Sequence, residues 1–457
     1  MPGRRHYSNI GGGNCGKVEG PVNQAPTPDR CAKPGRPSAF TQFLRATELD
    51  ARLVGTVAAL LLIWITLHVL SGGLFLTPRN LWNLAVQSSP IAIMATGMVL
   101  VIVTRNIDLS IGSMLGFIGM IMGVVQVDLL PKLLGFEHPA IWVLALATGL
   151  VLGATLGALQ GFAIAYLGIP SFIVTLGGLL VWRGAAWWVT SGQTVAPLDN
   201  RFRLLGGGPE GSIGAAWSWM VGIVACAAIV LLLAHRRARR RTFNFALRPM
   251  AAEIFVGGAA CVLVLAAVAV VNAYPWPIGS VRRYAQAHQI AVPEGGLFIA
   301  HGIAIPVLIA IGVGVTMTFL ATRTRFGRYV YAIGGNLEAA QLAGVDTRWV
   351  IMKTFTLMGF LAALAGAVSI ARLNAATNSE GTLAELLVIA ATVIGGTSIA
   401  GGVGTVAGAM LGAVIMQSLQ SGMVLLGVDA PLQSIAIGAV LVVAVWLDTI
   451  YRRRVAR

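Results

Sequence analysis

The sequence predicts an all-α, polytopic membrane protein, and three observations carry that expectation. The chain is 56% hydrophobic and only 11% charged over 457 residues, where a soluble domain carries about a quarter charged residues. Its apolar residues come in continuous runs of spanning length, not in the alternation of a β-barrel. Its 56 glycines suit helices that pack closely within a membrane.

About twelve such runs follow one another, at 53–71, 83–104, 109–128, 139–167, 171–191, 215–234, 252–272, 297–321, 349–371, 384–400, 403–427 and 431–450. Some are expected to be broken or re-entrant. They form one transmembrane unit, 51–457, preceded by a leader, 1–50, rich in Gly, Pro, Asn and Arg and expected to be a disordered basic extension on the cytoplasmic side. The leader lacks an apolar run near its start, so it does not read as a cleaved signal peptide.

The net charge of +15 raises nucleic acid as a partner. Its distribution argues for topology instead. The basic residues concentrate in the leader, in His235–Arg248, in Arg323–Arg348 and in Tyr451–Arg457. With both termini cytoplasmic, every strongly basic loop falls on the inner side, as positive-inside topology requires. No nucleic-acid partner is expected, and attraction to anionic membrane lipid is a secondary consequence. Cys15, Cys31, Cys226 and Cys261 show no C-x-x-C spacing and sit where disulfides are not expected.

The leader contains one misleading motif. Gly11–Val18, G-G-G-N-C-G-K-V, has phosphate-loop spacing, but Val18 offers no hydroxyl to Mg²⁺ and no strand precedes it. ATP hydrolysis is not expected in this chain. The six histidines lack H-E-x-x-H or other metal spacing, and no G-x-S-x-G elbow occurs. Neither a catalytic residue nor a metal site is expected.

Five stretches carry polar chemistry. In Gly97–Gly116 an apolar run stops at Thr104, and a second begins after Asp108, which is placed to cap it with Ser110 beside it. So short a gap implies a broken helix or a re-entrant turn, tolerated where it is packed in protein or lines a cavity. An acid at depth costs roughly 2.5–3.5 kcal/mol, which invites a functional reading; at the interface the cost is small. In Ile169–Gly184, Ser171 and Thr175 share a face suited to helix packing or a solute path, while Arg183 is expected to snorkel to the outer interface. Gln87, Ser88 and Ser89 precede Pro90 and could bond a polar solute or one another. Thr392–Gly408 has the glycine density of a sharp break, with Glu385 expected at the interface before it.

The fifth stretch, Arg323–Asp346, is a basic interruption between two apolar runs. Tyr329–Ile333 reads as an extended or helical lead-in, broken by Gly334 and Gly335. Asn336 can cap a short helix, Leu337–Leu342, with Glu338 in its first turn and Gly344 as its stop. A short capped helix outside the membrane suits docking; the plainer reading is an ordered connecting loop.

These stretches together resemble the permease subunit of bacterial ABC sugar importers. The motifs are G-M-V-L-V-I-V-T-R-N-I-D-L-S-I-G-S, I-P-S-F-I-V-T-L, T-R-T-R-F-G-R-Y-V-Y-A-I-G-G-N-L-E-A-A-Q-L-A-G-V and V-I-G-G-T-S-I-A-G-G-V-G-T-V-A-G-A. They fall in one order from about residue 55 onward. The extra helix pair at 215–272, with its basic hairpin, is similar to the xylose-type subgroup. Thr104–Arg105–Asn106 departs from the family, whose members carry small or acidic residues there. The resemblance implies a homodimer in the bacterial inner membrane, a partner ATPase that holds the ATP and Mg²⁺, and a periplasmic sugar-binding protein. It implies that 323–348 is the coupling loop, with Gly327, Arg328, Gly334, Gly335, Asn336, Glu338, Ala339, Ala340 and Gly344 as coupling positions. It implies a monosaccharide cargo, with D-xylose first and ribose, galactose or inositol as alternatives. Gln87, Asp108, Ser110, Ser171 and Thr175 are the candidate path residues. An ion-gradient-driven secondary transporter is the competing class, disfavoured by the scarcity of central acidic residues.

Overall fold

The computed structural model describes residues 51–455 apart from Glu137, Arg248 and residues 291–296. The leader over 1–50 lies outside the described residues. Among those described there is no strand, only isolated bridges between loops.

Fifteen helices carry the architecture. They are α1 (Ala51–Leu70), α2 (Pro78–Val103), α3 (Ile111–Val124), α4 (Ile141–Ala165), α5 (Ser171–Thr190), α6 (Gly214–Thr242), α7 (Met250–Asn272), α8 (Ile278–Ala287) and α9 (Ile305–Arg323), then α10 (Arg325–Gly335), α11 (Leu337–Leu342), α12 (Thr347–Leu373), α13 (Ala384–Ile394), α14 (Val406–Leu425) and α15 (Ala430–Val455). Among the described residues nine segments are long and apolar enough to cross a membrane; α1, α13 and α15 contribute shorter apolar stretches.

Burial sorts these helices. Nearly all of the most apolar window of α2 is buried (94%), and most of that of α12 (78%), against 11% for α6 and for α7. Helices α2 and α12 are therefore the centre, with α3, α4, α13 and α14 packed around them. The apolar faces of α6 and α7 turn outward, as they do in helices solvated by lipid. Pro78 opens α2 at a position where its missing N–H costs nothing.

The tightest seam joins α4 to α12. Gly153, Gly157 and Gly161 each back onto the α12 main chain, at Gly359, Phe355 and Met352. A side chain at Gly157 would collide with the Phe355 carbonyl. Their four-residue spacing is the small-residue pattern of close helix packing in membranes.

Several boundaries differ from expectation. The span expected at 297–321 begins at Ile305, because 300–304 is taken up in bridges with Pro275, Ser212 and Gly214. The span expected at 384–400 is helical only to Ile394, where Gly395 packs against the Gly408 carbonyl and the chain turns. The lead-in to the short polar helix is a full helix, α10, whose Thr324 Oγ1 accepts from the Gly327 amide at 3.2 Å.

Candidate functional site

Three neighbouring features make the site: a polar cavity, a junction of two broken helices beneath it, and a protruding helix wired to that junction.

The cavity has a volume of about 430 Å³, in the range of small-molecule sites. Asn80 and Gln87 on α2 face Gln417 and Gln420 on α14, with Arg372 and Glu380 closing a side. Gln417 Nε2 donates to Gln87 Oε1 at 3.1 Å, and Ser421 Oγ donates to Asn80 Oδ1 at 3.3 Å. Amide and hydroxyl groups make up most of its polar lining, beside apolar Ile91, Met94, Leu115 and Leu387, so the cavity offers paired donors and acceptors to a neutral, hydroxyl-rich solute.

The floor is built by two chain breaks. After α2 the chain leaves the helix at Thr104 and passes through Arg105, which is left-handed at φ 65°. It resumes as α3 only at Ile111. Asp108 does not cap α3 as expected; the N-cap is Ser110, and the Asp108 carboxylate accepts from the Ser110 N–H at 2.9 Å and from its Oγ–H at 2.7 Å. Two acceptor bonds close a local turn here because the carboxylate sits two residues too early to reach the helix amides.

The second break descends from the opposite end of the bundle. Ala376 lies beside Gly123 of α3, while Gly381 lies beside Gly112, about eleven residues back, or roughly 16 Å at the helical rise. The chain from 376 to 383 therefore dips into the bundle, turns at Leu383 (φ 61°) and starts α13 inside it. A left-handed leucine is strained and persists only where packing over-determines it. Arg183 does not snorkel outward as expected. Its Nη1 donates to the Asn378 and Glu380 carbonyls, each at 3.0 Å, and holds the dip in place. Glu385 is not interfacial either. It is 7% exposed, pressed against Gly112, with Oε2 buried and without a hydrogen-bond partner among the described residues. Two helix N-termini, those of α3 and α13, thus meet inside the bundle beneath a polar cavity. Discontinuous helices in this arrangement are how membrane carriers expose polar backbone to a solute.

Of the expected path residues, Gln87 lines the cavity and the other four do not. Asp108, Ser110 and Thr175 are buried. Gln160 Nε2 donates to Ser110 Oγ at 2.9 Å, Thr175 Oγ1 donates to the Ser171 carbonyl at 2.9 Å, and Ser171 Oγ lies 3.4 Å from the Ile107 amide. These groups hold the first break against α4 and α5. The cavity residues missed in the sequence carried a signal. Asn80, Asn83 and Gln87 recur on one face of α2, and Gln417, Gln420 and Ser421 on one face of α14.

The third feature is the segment 323–348. Asn336 Oδ1 caps α11 by accepting from the Ala339 amide at 3.0 Å, and Gly344, at φ 79°, ends it. Glu338 and Ala339 are exposed, Ala340 is buried, and Leu342 is 90% exposed. An exposed leucine on a one-and-a-half-turn helix is a contact surface in waiting. Behind it, α10 is tied to the first break and to the loop between α13 and α14. Arg105 donates through Nε to the Gly334 carbonyl and through Nη2 to the Gly335 carbonyl, each at 2.9 Å. Gly334 packs on the Val103 carbonyl, which also accepts from the Gly402 amide at 3.0 Å. Tyr331 Oη donates to the Gly404 carbonyl at 2.7 Å, and burial raises its pKa above the ordinary 10.0, so the donor stays protonated. Gly327 fits a corner where a side chain would strike the Ala321 carbonyl, and Arg328 is exposed beside it.

Comparison with known proteins places these features in context. A family model described as branched-chain amino acid transport system / permease component matches residues 80–445. The xylose transport system permease protein XylH of Escherichia coli is 37% identical over 414 residues, 90% of this chain and 95% of that protein. The XylH protein of Haemophilus influenzae is 34% identical over 411 residues, 90% of this chain and 99% of that one. The ribose import permease protein RbsC of Escherichia coli is 30% identical over 393 residues, covering 86% and 92%. No solved structure matches the chain.

Proposed function

The chain belongs to the branched-chain amino acid transport system / permease component family, and we propose that within it this multi-pass inner-membrane protein is the permease subunit of an ATP-driven importer for a monosaccharide, D-xylose first. Likeness to proteins named as xylose permeases, at higher identity than to a ribose permease, supports the cargo. Ribose, galactose and inositol remain the alternatives.

In this reading two copies form the path, with twelve crossings each and both termini cytoplasmic. A separate ATPase holds the ATP and Mg²⁺, and a periplasmic binding protein delivers the sugar. Residues 323–348 are the coupling segment and 215–272 the extra hairpin. The observation that carries the reading is the bonding of α10 to the first chain break, through Arg105, and to the loop between α13 and α14, through Tyr331. When the ATPase moves α11, Arg105 pulls on the loop that precedes α3, and Tyr331 pulls on the loop that joins the end of α13 to α14. The cavity floor then shifts with the nucleotide state, and this chain needs no catalytic group of its own.

The test is uptake of radiolabelled D-xylose into vesicles carrying this chain with its ATPase and binding protein. Uptake that requires internal ATP and both partners supports the reading. Uptake by the chain alone, abolished by an uncoupler, would establish the ion-driven alternative, for which the unpaired Glu385 oxygen near Asp108 is the one favouring observation.

A further inference from the structure

The hairpin of α6 and α7 hangs from the bundle by one face. The two helices pack on each other, and beyond that mainly through α7 against α2. Their outward faces expose Leu231, Leu232, Ile254 and Phe255, each more than half accessible.

At the basic tip of this hairpin, Arg236, Arg237, Arg239, Arg240, Phe243 and Phe245 surround a cavity of about 370 Å³. The turn is closed. The Phe245 N–H donates to the Arg240 carbonyl at 2.9 Å, and Asn244 takes φ 52°. The phenylalanines are therefore fixed beside the arginines, exposed at 62% and 67%. Glu253 is the carboxylate in the lining, and it is paired with Arg237 at 2.6 Å. Four guanidinium groups against one carboxylate leave the cavity strongly positive.

Basic residues at a helix C-terminus have an ordinary explanation in the helix dipole. The dipole does not account for two exposed aromatic rings and a cavity beside lipid-facing apolar surfaces. That combination is amphipathic: forked donors that match a phosphate diester, with rings for the glycerol and acyl region next to it.

We infer that this pocket binds an anionic phospholipid, with its phosphate on Arg236 and Arg239 and its acyl chains along the outer faces of α6 and α7. A second copy of the chain fits less well, because it would bring the same positive charge to the pocket. The inference needs only that the hairpin lies in a membrane. It does not depend on which solute is carried.

The experiment uses the full chain purified in mild detergent and mixed with phosphatidylglycerol or phosphatidylcholine, with bound lipid counted by native mass spectrometry. Wild type is expected to retain phosphatidylglycerol selectively. R236Q/R239Q is expected to weaken that retention about 25-fold, roughly five-fold per arginine. R282Q/R283Q, on α8 at the other end of the bundle, is expected to retain it as wild type does. Equal retention of the two lipids by wild type overturns the inference without need of any variant. So does undiminished retention by R236Q/R239Q. Displacement of the lipid by millimolar inorganic phosphate would reduce the pocket to a general anion site, and a dimer dispersed by R236Q/R239Q would assign the surface to a second copy.

Discussion

Arg105 concentrates more of the proposed coupling than any other single residue. Its left-handed backbone and its two bonds to α10 have the same cause: the chain must reverse at the end of α2 while one side chain reaches across to the carbonyls of Gly334 and Gly335. R105A leaves those carbonyls without their charged donor, at about 1.5–3 kcal/mol per bond. The expected result is uptake reduced by about ten-fold or more with ATP hydrolysis by the partner retained; unchanged uptake would refute the link. Asp108 has a different role. D108A strips the acceptor from the Ser110 N–H and O–H in a buried turn, costing about 1–3 kcal/mol. The melting temperature of the detergent-purified protein is expected to fall, with D108N falling less because its amide oxygen still accepts. At the other end of the bundle His301 stacks on Tyr274 at 4.3 Å between ring centroids and lies near Trp82. Burial lowers its pKa from the ordinary 6.5. A lowered histidine pKa means that the folded state binds protons less readily than the unfolded one. Its contribution to stability is complete above 6.5 and is lost as pH falls through the folded value. Melting temperature measured downward from pH 7.5 is expected to decline in wild type below 6.5 and to decline less in H301F.

Among the elements, the α4–α12 seam and the α11 rod make the clearest demands. The seam depends on main chains in contact at Gly157 and Phe355. G157L has no room and is expected to separate the two helices; the readout is loss of a monodisperse peak in size-exclusion chromatography. By contrast, α11 presents Glu338 and Leu342 on one exposed face, four residues apart. E338K, L342D and a bulky residue at Gly344 are expected to leave the protein in the membrane but to abolish uptake and co-purification of the ATPase. G344V also strains a residue at φ 79° by about 1–2 kcal/mol. If all three variants transport normally, the segment is an ordinary connection.

At the scale of the whole molecule, α2 and α12 form a buried axis and the hairpin of α6 and α7 is an appendage. Replacing 215–272 by a short linker is expected to leave a monodisperse protein melting within a few degrees of wild type. Collapse of the remainder would show that the hairpin is part of the core. The two chain breaks approach from opposite ends and meet where Gly112 lies against Gly381, while α10 grips the loop that follows α2 and the loop that follows α13, so a displacement at α11 reaches both helices at once.

The sequence by itself determined the membrane class, the runs of spanning length and the local chemistry of 323–348. These follow from composition, hydropathy and short-range capping, which act over a few residues: Asn336 caps the Ala339 amide three residues on, and Gly344 takes the positive φ that glycine adopts most readily. It also located the first break, because Thr104–Asp108 interrupts an apolar run. The destinations of long polar side chains were decided only by the tertiary structure. Arg183 and Glu385 looked interfacial because their neighbours in sequence gave no sign of the dip at 376–383, which exists only when α3, α5 and α12 are assembled around it. The cavity likewise needed α2 and α14, more than three hundred residues apart, to place Gln87 against Gln417. A buried polar group must find its partner wherever the packing puts one, and that partner is fixed by the arrangement of helices, not by the local run of residues.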